Sequence, residues 1–198
     1  MFYMIRIVLG IILFFILFII IKKSKMKKKK APVIISLITV IVLCYASGLF
    51  PIENIFISFH SPQDVFHYTC SGTIEHIEYG DESCMVVYTT EDGTYSYIIF
   101  PKTSKGYQIP GILTLKTVSS KLQEPGSFEL LRIANTSDFY VFGMCILDEG
   151  NLTDSNHSDI KVVIPDNRQK ESKIMFAFVG DASSGYYIVA DNKKIIMT

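Results

Sequence analysis

Two long stretches without a charge flank a dense group of lysines, and this arrangement constrains the chain more than any other feature. Residues Ile7 to Ile21 are apolar apart from Gly10, and Ala31 to Phe50 is a second run of twenty residues with no charge. As helices, runs of this length cross about 30 Å of hydrocarbon. The first is short between Arg6 and Lys22, so it spans only if Met1 to Ile5 also enter the membrane and Arg6 snorkels toward the headgroups. Between the runs, Lys22, Lys23, Lys25, Lys27, Lys28, Lys29 and Lys30 crowd a loop over 22–30. Clustered lysines are retained on the cytoplasmic face and set the orientation of the adjoining helices. The expectation is a two-helix transmembrane hairpin over 1–50, multi-pass in the cell membrane, with the lipid bilayer as first partner and both termini extracytoplasmic. Leu43-Cys44-Tyr45-Ala46-Ser47-Gly48 offers no A-x-A-like cleavage site, so both helices are expected to be retained.

Charge divides the chain at the same place. The sequence carries 19 basic and 19 acidic residues, and eight of the bases, Arg6 and the seven loop lysines, fall in the first thirty residues with no acid. Residues 31–198 therefore hold eleven bases against nineteen acids, a formal charge of −8. An acidic region with scattered lysines repels phosphate backbones and anionic headgroups, which excludes nucleic acid as a partner. Residues 51–198 are enough for one self-sufficient core.

Pro51-Ile52-Glu53-Asn54 reads as a helix stop, and Ser61-Pro62-Gln63-Asp64 as the start of a short helix reaching about Tyr68, with Val65, Phe66 and Thr69 facing inward. From Gly72 the punctuation becomes that of a β protein. Strands are expected at Gly72–Tyr79, Cys84–Thr90, Tyr95–Phe100, Gly111–Val118, Phe128–Ala134, Phe139–Leu147, Ile160–Ile164, Ile174–Val179 and Tyr186–Ala190, with Lys194–Met197 closing a terminal hairpin. Glu91-Asp92-Gly93 is the clearest hairpin turn, and Tyr88, Tyr95 and Tyr97 around it are expected to form cross-strand aromatic pairs. Asp148 to Asp159 is polar and reads as an exposed mobile loop. The fold class is mainly β with one short helix, an antiparallel sandwich or curved sheet.

Residues with chemical potential do not assemble into a known pattern. His60, His67, Cys70, His76 and Cys84 lie close in sequence, yet only His67 and Cys70 have ligand spacing, so no metal site is expected. Cys70, Cys84 and Cys145 make an odd number in the outer domain, and Cys70 with Cys84 is the natural candidate for a disulfide. Ser183-Ser184-Gly185 and Gly80-Asp81-Glu82-Ser83-Cys84 read as turns rather than nucleophile elbows. The acid pairs Asp81/Glu82 and Asp148/Glu149 read as solvated loop residues, so no catalytic residue and no cofactor is expected. Tyrosines at 88, 95, 97, 107, 140, 186 and 187 suit either a strand core or a ligand groove. Asn135, Asn151 and Asn156 begin glycosylation triplets.

Pro51-Ile52-Glu53-Asn54, Ser61-Pro62, Asp81-Glu82-Ser83-Cys84-Met85, Tyr95-Ser96-Tyr97 and Pro101-Lys102-Thr103 carry a family resemblance. Over the hairpin and the first half of the domain the chain resembles small uncharacterised two-helix membrane proteins of Gram-positive, Clostridia-like bacteria. The resemblance implies a host class and no activity. Three functions remain open: a non-enzymatic module binding another membrane or wall-associated protein or a wall component, an extracytoplasmic sensor or accessory subunit of a membrane partner, and a hydrolase with a dispersed site.

Overall fold

The computed structural model describes residues 2–23, 34, 38, 39, 41, 42, 51–111, 114–134, 136–146, 152–165, 172–182 and 184–198. The chain divides into two compact units, Met1–Ile57 and Ser58–Thr198.

In the first unit, helix α1 runs Phe2–Lys23 and is apolar on every side rather than along one stripe. Phe14 stacks on Phe18 one turn later, with ring centroids 6.4 Å apart. Among the described residues no helix is long and apolar enough to cross a membrane. The described side chains of α1 are those at positions 8 and 10–19, whereas its helical backbone continues for 22 residues. Most of the lysine loop and of the second apolar run lies outside the described residues; within that run Ile34, Ile38, Thr39, Ile41 and Val42 are helical. Pro51 and Ile52 lead into a single helical turn, α2 (Glu53–Phe56), while residues 43–50, where the expected helix stop would act, lie outside the described residues. The turn keeps its hydrogen bonds local, Asn54 N–H to Pro51 O at 3.1 Å and Ile57 N–H to Glu53 O at 2.8 Å. The first compact unit ends at Ile57, just after this turn.

The second unit opens with helix α3 (Pro62–Thr69), where the expected start signal is realised in full. Ser61 Oγ accepts from Asp64 N–H at 3.1 Å, and Asp64 Oδ2 accepts from Ser61 N–H at 3.2 Å. Such a reciprocal cap satisfies two donors that a helix start otherwise leaves open. Val65 and Phe66 are fully buried, and Thr69, half-buried, turns its hydroxyl back onto Val65 O.

The remainder is mainly β. In chain order the described strands are β1 (Thr73–Tyr79), β2 (Ser83–Thr89), β3 (Tyr95–Thr103), β4 (Gly106–Tyr107), β5 (Leu115–Gln123), β6 (Gly126–Ile133), β7 (Phe139–Ile146), β8 (Leu152–Asp154), β9 (Lys161–Val163), β10 (Ser172–Gly180), β11 (Tyr187–Ala190) and β12 (Lys193–Ile196). They form three antiparallel sheets with strand orders β1-β2-β3-β4, β5-β6-β7-β10-β9 and β12-β11-β8.

Alternation along the strands shows how the sheets stack, because successive side chains of a strand point to opposite faces. On β10, Met175, Ala177 and Val179 pack with Ile188, Ala190 and Ile195 of the third sheet, while Ile174 and Phe176 pack with Met85, Val87 and Ile99 of the first. The five-stranded sheet is thus a middle layer with a core on each side. A single sandwich has one such core, so the expected architecture is exceeded by a layer. The outward face of β2 is covered in turn by α3, where the Phe66 and Tyr88 rings meet at 5.0 Å.

All ten expected strands are present, with β5 displaced toward the C-terminus, and β4 and β8 are additional. The mobile-loop expectation over Asp148–Asp159 is corrected by β8, which pairs with β11 and buries Asp154. Residues 147–151 lie outside the described residues. The expected tyrosine ladder is also corrected: Tyr88 stands opposite Ser96, and Tyr97 opposite Val87. Tyr88 and Tyr97 therefore occupy opposite faces, and Tyr97 packs on Phe142 in the middle sheet instead, at 4.6 Å.

Candidate functional site

Among the described residues of the second unit, polar side chains gather in three enclosed ties and in one open cleft. The first tie lies where the β1–β2 turn meets the start of β7. Asp138 and Ser83 are both fully buried. Asp138 Oδ2 accepts from Ser83 Oγ at 2.5 Å and from Glu82 N–H at 2.9 Å, and Ser83 Oγ is 2.8 Å from the Tyr140 hydroxyl. Burial pushes the Tyr140 hydroxyl well above the usual tyrosine range, opposed by its bond to Ser83 and reinforced by the negative charge of Asp138. Gly80 makes the cluster possible, since a Cβ there would run into the Tyr140 hydroxyl and stand 2.5 Å from Asp138 Oδ2. A serine, a carboxylate and a tyrosine in contact resemble catalytic parts, but here they are walled in on every side. Their geometry ties the first sheet to the middle one.

A second tie runs between β1 and β9. Glu78 Oε2 receives Lys161 Nζ at 2.6 Å and lies 3.2 Å from His76 Nε2, while the His76 ring rests 5.0 Å from that of Phe176. On the far side of the middle layer, buried Asp154 accepts from the Tyr186 hydroxyl at 2.9 Å and from Ser158 N–H at 2.8 Å. Glu78 and Asp154 are thus held by structural partners, whereas the Oδ1 of buried Asp138 has no hydrogen-bond partner.

The open place is a cleft of about 600 Å³ between the end of α3 and the tip of the β2–β3 hairpin. Thr69, Cys70 and Ser71 form one wall, and Thr90, Glu91, Asp92 and Thr94 form the other, with Tyr88, Tyr95 and Ser96 between them. The hairpin tip is built by its own sequence. Gly93 adopts φ +78°, a conformation that other residues rarely tolerate. Asp92 Oδ1 accepts from the Thr90 hydroxyl and, at 3.1 Å, from Thr94 N–H. The Thr90 hydroxyl first, and Thr94 after it, hold the Asp92 carboxyl below the usual carboxylate range, so it is ionised at neutral pH. The Cys70 thiol, half-buried, is pushed up by burial, against the pull of its Thr69 hydrogen bond. It is therefore a thiol rather than a thiolate, and no histidine lines the cleft to deprotonate it.

The candidate residues from the sequence are dispersed. Cys70 and Cys84 are free thiols, as is Cys145, so the candidate bridge is not formed. The reason is distance along β2. Cys84 pairs with Tyr79 at one end of the β1–β2 ladder, whereas Cys70 precedes Thr73, which pairs with Thr89 at the other. Five residues of strand span about 17 Å, far beyond the roughly 7 Å that a disulfide bridges between Cα atoms. Burial raises the Cys84 thiol to about 12 and the Cys145 thiol to about 11.

His60 and His67 are exposed, and His76 belongs to the Glu78 tie. Among the described residues no three His, Cys, Asp or Glu side chains come together to hold a metal ion. Asp81 is exposed; the Glu82 carboxylate accepts from Ser137 N–H at 3.3 Å. Asp148, Glu149, Ser183, Asn135 and Asn151 lie outside the described residues. The Asn156 amide donates to Val179 O and Asp181 O, so it is engaged in structure. Of the tyrosines, 140 and 186 are core, 97 bonds Glu129 at 2.7 Å, and only 88 and 95 reach the cleft. Asp138 went unnoticed in the sequence because a single acid before an apolar strand looks like any turn residue. No protein family matches the chain, and no curated protein or solved structure is similar to it.

Proposed function

We propose that the chain is a membrane-tethered binding module that displays the α3–hairpin cleft of its β domain to a protein partner outside the cell. The observation that carries the binding reading is the cleft itself. It is open, lined by threonines, serines, Glu91, Asp92, Tyr88 and Tyr95, and its thiol is kept protonated. Groups of this kind recognise a surface; they do not include a nucleophile with its base.

The tether rests on α1. A helix apolar on all sides calls for an apolar surrounding, and the described part of α1 exposes Val8, Ile11, Phe15 and Phe18, each by about half or more. The seven lysines that follow orient such a hairpin with its loop inside, so that the acidic region beyond it is exported.

Photo-crosslinking from the cleft tests the binding reading. A photoreactive amino acid at Thr94 in intact cells is expected to yield a discrete adduct that the same substitution at the remote, exposed Asp159 does not give. Absence of any adduct specific to Thr94 would refute the reading. Added protease should remove the β domain from intact, wall-stripped cells; a domain cut only after lysis would refute the orientation.

A further inference from the structure

We infer that the α2 turn is a membrane-contact site, with Ile55 and Phe56 seated in the headgroup layer of the bilayer. The inference rests on the tether reading and adds a second, shallow point of contact with lipid. For a segment in water the turn is built inside out. Of residues 51–57, Ile55 and Phe56 are the exposed ones, at 74% and 79%, while the only charged residue, Glu53, is buried at 2%. A turn in water ordinarily shows the reverse, its charge outward and its large apolar side chains covered. Adjacent exposed isoleucine and phenylalanine, with the acid withdrawn, suit an apolar surrounding.

Its place in the chain identifies that surrounding. The stretch without a charge that begins at Ala31 runs on through Ile52 in the sequence, so the turn directly follows the expected second span. Asn54 N–H bonds Pro51 O and Ile55 N–H bonds Ile52 O, both at 3.1 Å, so the chain coils here rather than extends. Four residues of such a coil advance about 6–8 Å, which matches the roughly 5–8 Å depth of one headgroup layer. Apolar side chains at that depth reach the acyl boundary, as those of interfacial helices do. The turn carries no exposed charge to oppose the headgroups, because its one acid is covered. A protein occupant is a poorer match, since two side chains present far less than the roughly 800 Å² per partner that a stable interface buries.

The chain contains no tryptophan, so Phe56→Trp introduces a single indole that reports its own surroundings. The full chain is reconstituted in phosphatidylcholine vesicles, with or without lipid carrying a nitroxide high on the acyl chain. Asp159→Trp, at an exposed position of the β domain, is the reference. The Phe56→Trp emission is expected to lie to the blue of the reference, to be quenched severalfold more by the nitroxide lipid, and severalfold less by aqueous acrylamide. Ile55→Trp should behave alike and carries the test if Phe56→Trp does not fold. An indole quenched by acrylamide as readily as the reference faces water, and one shielded from both quenchers is covered by protein, this chain or a second copy. Either result overturns the inference. Stronger quenching by a nitroxide at mid-chain would place the side chain deep in the hydrocarbon and overturn the headgroup seat. Protein that parts from the vesicles in a density gradient would refute the tether and the inference with it, whereas failure at the indole alone leaves the tether standing.

Discussion

Replacing Asp138 by alanine should loosen the joint between the first and middle sheets, and the size of the effect follows from the bonds it removes. Oδ2 accepts from the Ser83 hydroxyl and from Glu82 N–H within a fully buried site. Charge-assisted bonds of this kind each contribute about 1.5–3 kcal/mol. Relief from burying a carboxylate offsets part of that loss, and Ser83 keeps its contact with Tyr140. The net cost is about 2–4 kcal/mol, a large share of the roughly 5–15 kcal/mol that holds a domain folded.

Equilibrium unfolding in urea, followed through the near-ultraviolet signal of the buried tyrosines, measures it. A double-mutant cycle with Ser83→Ala supplies the sharper criterion. Once Asp138 is gone, removing the Ser83 hydroxyl should cost at least about 1 kcal/mol less than it does alone. Costs that add to within about 0.3–0.5 kcal/mol, or an Asp138→Ala effect below about 0.5 kcal/mol, would show that the cluster does not join the sheets.

Gly80→Ala attacks the same joint by crowding, and should lower stability by about 1–3 kcal/mol in the same assay. Ser61→Ala removes one half of the reciprocal cap on α3 and should cost about 1 kcal/mol, with faster amide exchange confined to the first turn of that helix. After denaturation without reductant, alkylation and mass analysis should find Cys70, Cys84 and Cys145 all modified; any of them protected would contradict the free thiols. Cys84, with an ordinary value of 9.0 and a folded value of about 12, favours the folded state fully below pH 9, and this contribution is lost as pH rises from 9 toward 12. Cys84→Ala should have a lower baseline stability but a shallower decline across that interval.

What could be read from the sequence was local. The helix after Ser61 was legible because serine, proline and an acid at the third helical position meet three separate needs of a helix start. The β2–β3 hairpin was legible because Glu91-Asp92-Gly93 interrupts two apolar runs with a residue suited to positive φ. Strand β5 was misplaced for a physical reason. Its apolar content ends near Val118, yet its ladder with β6 continues to Gln123 through Ser119, Ser120 and Lys121, which are tolerated on an edge strand open to water. Strand β8 was missed because Leu152-Thr153-Asp154 sits in polar sequence, and the group that makes Asp154 buriable, the Tyr186 hydroxyl, lies 32 residues away. The cleft was half legible. Its hairpin wall could be anticipated, but the approach of Thr69, Cys70 and Ser71 depends on how α3 lies over Tyr88, which no local pattern encodes.

The middle sheet has a consequence for how the polypeptide is made. Its strand β10, hydrogen-bonded to β7 on one side and β9 on the other, contributes to the cores on both of its faces, and it is made after every strand of the first sheet and after its neighbours β7 and β9. Until it arrives, Met85, Val87 and Ile99 of the first sheet lack Ile174 and Phe176 to rest against, and β7 carries an open edge. Products that stall or are clipped before residue 172 therefore expose greasy faces and unsatisfied backbone together, the combination that drives chains to clump. For a β domain built this way, protection of both faces of the middle layer waits on a single strand.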